Sequence, residues 1–192
     1  TVLSRGLGDV YKRQAQMMLK LAQPELDAYM AMTIDGPPSK TSRAKTDKIL
    51  TKQLVDKAKA LQGVEGTFAD IVKTGAGEWG LAALVDLGKA YENMGDSLIN
   101  SYKPSYLNED QLEMYTMGLE DKKYLQVEKA TNVYAEALNK AYELNLYNEN
   151  TAYATRRLGE LRPDEFPALS EDILEARYTS GQKADRNFET TP

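Results

Sequence analysis

The chain has 192 residues, a net charge of −5 at pH 7, and neither cysteine nor histidine. Without cysteine there is no disulfide, thiolate metal site or cysteine nucleophile. Without histidine there is no Ser–His–Asp triad and no His-ligated zinc or di-metal bundle, so any acid–base chemistry would fall to carboxylates, Lys or Tyr.

The acidic balance argues against a nucleic-acid partner. No stretch approaches the roughly 18 apolar residues of a bilayer span. With 42% hydrophobic residues the chain can bury a core of its own.

In chain order, the first segment stands apart. Ser4–Gln14, SRGLGDVYKRQ, resembles the in-frame translation of a transposase adapter used to prepare sequencing libraries, and a Leu3 codon ending in G extends the match. Residues 1–14 are therefore placed outside the fold. The natural chain is expected to begin near Ala15, with its own start and any export signal upstream.

Every strong periodic signal after that is helical, and the expected fold class is all-α. A helix is predicted over Ala15–Met32, with Pro24 tolerated only at a break or a fresh first turn. DGPPSK then forms a linker or a sharp corner. From Ser42 to Val72 the apolar steps of three and four mark an amphipathic helix, and Gly63 and Gly66 make its middle a place to kink or break. TGAGEWG is a loop. Leu81, Leu84, Leu87, Tyr91, Met94 and Leu98 form a single stripe on the next helix, which SYKPSY ends. Asn108 is the expected N-cap of a run to about Leu146, as one helix or two. A last helix covers Thr151–Leu161. Residues 168–192 read as an acidic flexible tail with at most a short helix over Glu171–Tyr178.

Spacing carries one motif. In LVDLGKAYENMG, Leu84, Leu87, Gly88, Tyr91 and Gly95 occupy relative positions 4, 7, 8, 11 and 15. This resembles the first helix of a tetratricopeptide repeat, in which large residues at 4, 7 and 11 fill the gap beside a small residue at 8 that lets the paired helix approach closely. Met114, Met117 and Gly118 repeat part of the pattern, with Ala130, Tyr134 and Ala137 as second-helix positions, and Leu158–Gly159 a third. The Gly-to-Gly spacings of 30 and 41 residues depart from a steady period of about 34.

The stretch from about Lys40 to Pro167 also resembles tetratricopeptide proteins of gliding and predatory bacteria. It does so through GEWGLAALVDLGKAYENMGDSL, AYELNLYNENT and LGELRPDEFP. That likeness implies a short irregular solenoid over residues 39–167, preceded by a helical remnant and Pro-rich linker over 15–38. It implies the C-terminal part of a larger envelope or motility scaffold that binds protein, with no catalytic residue, cofactor or metal, in a periplasmic or envelope setting. In such repeats the first helices line a groove, which here places Ala82, Val85, Lys89 and Glu92, then Tyr153, Arg156 and Glu160, against a partner.

Three further features have competing readings. The basic run Lys40, Arg43, Lys45, Lys48, Lys52, Lys57 and Lys59 is a solvated helix face first and an anionic-partner surface second. Glu109, Asp110, Glu113, Glu120 and Asp121 are capping and surface acids ahead of a carboxylate pair for glycan hydrolysis. Tyr91, Tyr134 and Tyr142 are expected in the core, Tyr102, Tyr106, Tyr147 and Tyr153 nearer a partner surface, and Trp79 as a cap on the core. A purely structural module that caps a longer solenoid is the alternative to partner binding.

Overall fold

The computed structural model describes residues 2–167 apart from Ala76, with side chains from Val10 onward, and every regular element among them is an α-helix. These are α1 (Val2–Met30), α2 (Arg43–Lys73), α3 (Gly77–Ile99), α4 (Glu109–Leu144) and α5 (Glu149–Leu161). The tail and its expected short helix lie outside the described residues.

The arrangement is organised around α3. Its sequence reads as one apolar stripe, yet Gly80, Leu81, Ala83, Leu84, Val85, Leu87, Gly88, Ala90, Tyr91, Met94, Gly95 and Leu98 are all buried. Small residues between the large ones let neighbours approach from several sides, and a helix apolar around most of its circumference must be enclosed. Accordingly α3 packs against α1, α2, α4 and α5, while α1 also meets α2 and α4 meets α5. Gly80 lies beside Val72 and Gly95 beside Lys123 and Gln126, so α2 and α4 both run antiparallel to α3.

Helix α1 differs from expectation at both ends. It starts at Val2 and passes through Pro24 without a break. Pro24 is exposed, so the Lys20 carbonyl that loses its amide partner faces water, where solvation replaces the lost bond. Val10–Gln14 are all exposed, and Ala15 is the first buried side chain described. From there Ala22, Leu26, Tyr29 and Ile34 join the same core as α2 and α3.

The following segment is a pinned corner. Gly36 takes φ +68°, which favours glycine, and its amide and carbonyl are bracketed by the Gln53 side chain at 2.9 and 3.4 Å. The Tyr102 amide donates to the Ile34 carbonyl at 2.8 Å, tying this corner to the α3–α4 connection.

Helix α2 runs unbroken through Gly63 and Gly66, so the break expected there as one alternative does not occur. Gly63 instead admits α1: a Cβ there would lie 2.7 Å from Oε1 of Glu25. Helix α4 is one helix of 36 residues. Asn108 accepts from the Gln111 amide at 2.8 Å and Gln111 returns the bond at 3.2 Å, a complete capping box. Asn145 closes α4 at φ 52°, a left-handed cap that asparagine tolerates. Asn148 then caps α5, which begins at Glu149, two residues before the expected start.

The three glycine notches behave differently. A Cβ on Gly88 would enter the ring of Tyr134, so α3 and α4 meet ring to backbone there. Gly118 has nothing within 4 Å, and Met114 and Met117, expected to fill such a notch, are exposed. Gly159 meets only the Phe166 carbonyl oxygen at 3.3 Å. Only the first notch is therefore filled by a neighbouring helix. Gly88→Ala is expected to lower stability by about 2 kcal/mol through overpacking against Tyr134. Gly118→Ala should raise it by about 0.5–1 kcal/mol, because an open helical glycine gains propensity and loses nothing. Urea unfolding midpoints read both, and equal effects would show that the two positions are packed alike.

Candidate partner-binding site

Helix α5 is held to α3 and α4 through Glu92. The Tyr134 hydroxyl donates to Glu92 Oε1 at 2.6 Å, and Arg157 Nε donates to the same oxygen at 3.1 Å. A second guanidinium nitrogen of Arg157 pairs with Glu92 Oε2 and a third group reaches Glu160. Burial, reinforced by the bond to Glu92, pushes the Tyr134 hydroxyl far above its ordinary pKa, so it stays a donor across physiological pH. The same bonds to Glu92 raise the Arg157 pKa, so its guanidinium stays charged. Tyr153 of α5 meets the Tyr134 ring edge-on at 6.0 Å. Lys89 sits over Tyr153 at 4.8 Å while pairing with Asp86 at 2.9 Å, and Arg156 covers the same ring at 5.2 Å.

Five of the expected groove residues, Lys89, Glu92, Tyr153, Arg156 and Glu160, thus come together on α3 and α5. Most are already engaged with one another. Val85 is a correction: it is fully buried beneath the helices and cannot touch a partner, because α3 is enclosed on that side too. Ala82 is half-buried. Of the two groups that gather the cluster, Arg157 fell outside the repeat positions, and Tyr134, a second-helix position, was expected only in the core.

The accessible hollow lies one step further out. Between the C-terminal half of α4 and the outer face of α5 runs an open groove of about 960 Å³, walled by Leu138, Tyr142, Tyr147, Ala152, Thr155 and Phe166. Arg156 and Glu160 stand at its side. Tyr142, expected in the core, is 57% exposed here, and Tyr147 is 73% exposed. The volume falls in the range typical of ligand sites, roughly 300–1,000 Å³.

The other sequence candidates are dispersed. Glu109, Glu113 and Glu120 are exposed on α4, and no group of acids among the described residues could hold a metal ion. Tyr106 donates to Asp47 and lies under Arg43 at 5.0 Å. Trp79 is partly buried against the core, as expected.

Lys57 overturns its assignment to a solvated basic face. It is fully buried, with Nζ donating to the Met32 carbonyl and Asn93 Oδ1, each at 2.7 Å, and to the Tyr29 carbonyl at 3.3 Å. The ammonium also sits over the Tyr29 ring at 4.5 Å. It thereby satisfies carbonyls at the C-terminal end of α1, where a cation is favoured. Its position on the helix, in step with Leu61, Val64 and Phe68, was the available signal.

Comparison of the chain with known protein families, characterised proteins and solved structures finds no match. No described helix is long and apolar enough to cross a membrane.

Burial with no carboxylate nearby lowers the Lys57 pKa to about 8. In the unfolded chain the ordinary value near 10.4 applies, so between these limits the unfolded state holds the extra proton. Stability from this residue must therefore rise as pH climbs through about 8. Relative to Lys57→Met, the wild-type chain is expected to gain unfolding free energy between pH 7 and 9.5, measured by urea denaturation. A difference that is flat or falls with pH contradicts this environment.

Proposed function

We propose that the chain is a non-enzymatic helical scaffold, tetratricopeptide-like in its stacking, that holds an apolar or aromatic segment of a protein partner in the α4–α5 groove. The observation that carries this reading is the groove itself: open, walled by tyrosines and aliphatic groups, with one arginine at its side. Tyr and Arg are the side chains that dominate protein interfaces, because each offers large contact area and directed bonds. The contacts of α3 with α1 and α5, and with α2 and α4, are those expected of stacked helical hairpins and support the solenoid part of the proposal.

Within this reading Lys89 and Glu92 are internal struts rather than contacts, since both already have partners inside the fold. Arg156 is exposed and, among the described residues, stacked only on Tyr153, which leaves its guanidinium available to an acidic or carbonyl group.

The test is selection of helical peptides from a displayed library, followed by affinity measurement by fluorescence anisotropy. Thr155→Trp, which fills the groove, and Arg156→Glu should each weaken the best peptide at least tenfold, about 1.4 kcal/mol. Lys89→Glu should leave its affinity within about twofold, a few tenths of a kcal/mol. Failure to select any peptide, or affinity indifferent to Thr155→Trp, overturns the proposal in favour of a groove filled by further helices of a longer solenoid.

A further inference from the structure

Two charged stripes on different helices share one spacing. On α2, Lys48, Lys52 and Lys59 are separated by four and seven residues; on α4, Glu109, Glu113 and Glu120 are separated by the same four and seven. Each set lies along one side of its helix and spans about 16 Å at ~1.5 Å per residue. All six side chains are exposed, and none makes an ion pair among the described residues.

The stripes cannot satisfy each other within one molecule. Leu50 and Leu54 of α2 face Tyr115 and Leu119 of α4 across a crevice of about 370 Å³ floored by Leu98. Helical periodicity then turns the lysines away from α4 and the glutamates away from α2. The basic stripe looks outward at one edge of the molecule and the acidic stripe at the other. Unpaired like charges at this spacing repel along each helix, so an opposite stripe supplied from outside relieves both.

We propose that the α2 lysine stripe of one molecule docks on the α4 glutamate stripe of a second copy of this chain. The equal spacing sets the register: with the helices parallel, Lys48, Lys52 and Lys59 stand level with Glu109, Glu113 and Glu120. Both α2 and α4 run antiparallel to α3, so the second copy has the same orientation as the first and leaves its own lysine stripe open. Such a contact is heterologous and propagates into a linear array instead of closing. Asp56 lies on the basic side and pairs with no cation there, so it falls opposite Met117 in this register, where it costs no ion pair. Exposed ion pairs are individually weak and screened by salt; association therefore requires low ionic strength and high concentration. The inference is independent of the peptide groove.

Sedimentation velocity of the full chain tests it. At about 20 mM salt the weight-average mass should rise with concentration, and the association constant should fall at least tenfold at about 500 mM salt. Lys48→Glu/Lys52→Glu/Lys59→Glu and, separately, Glu109→Lys/Glu113→Lys/Glu120→Lys should each remain monomeric with unchanged helical circular dichroism. Mixing the two variants should restore association, because each then offers the other a complementary stripe. Lys20→Glu/Lys103→Glu/Lys122→Glu, with the same net charge as the lysine-stripe variant, keeps both stripes intact and should associate like wild type. A wild-type chain that stays monomeric at low salt, association untouched by either reversal, or a mixture that does not associate would each overturn the proposal.

Discussion

Tyr134 against Gly88 is the contact on which the C-terminal half of the molecule depends. A ring from α4 occupies the space where any other residue of α3 would carry a Cβ, which sets the separation of these two helices. The same ring delivers its hydroxyl to Glu92, one turn along α3, and Glu92 then has a charge to share with Arg157 of α5. One close approach thus fixes the α3–α4 distance and also positions the acceptor that holds α5. A carboxylate withdrawn from water is costly without donors; for the half-buried Glu92 a hydroxyl and a guanidinium supply them.

The adjacent residue does the corresponding work on the other flank. Asn93 points toward α1 and α2, accepting from Lys57 and donating to the Met30 carbonyl at 3.3 Å. Glu92 and Asn93 are neighbours in sequence and about 100° apart around the helix. They turn one position on α3 into two polar anchors, one for each side of the stack. Around them the contacts of α3 are mostly apolar, joined by the Tyr29 hydroxyl on the Ala90 carbonyl and by Lys123 on Asp96, and these directed groups help specify which helices sit where.

The helical class, the cap at Asn108 and the Gly88 notch were legible because each depends on local spacing: three-and-four periodicity, a capping residue before acids, and a small residue among large ones. Continuity was harder to read. Pro24 and Gly63 are local breakers, but the cost of each depends on what faces it, which is water for Pro24 and the Glu25 side chain for Gly63. Lys57 was hidden by its charge, since a lysine in a basic run reads as exposed unless its phase on the helix is followed. Gly118 and Gly159 repeat the motif without the packing, because no ring reaches them. Of the candidate residues, Arg156 and Glu160 border the observed groove and Val85 does not; the repeat positions pointed to α3 and α5, whereas tertiary packing leaves the hollow open between α4 and α5.

The central claim is that Glu92, through Tyr134 and Arg157, is what fastens α5 to the rest. Hydrogen exchange of the α5 amides in Glu92→Ala, compared with wild type, tests it directly. Exchange over Thr151–Leu161 should be at least tenfold faster, a local opening easier by about 1.4 kcal/mol or more, with α2 protection retained. Unchanged α5 exchange, or equal loosening of every helix, would contradict it.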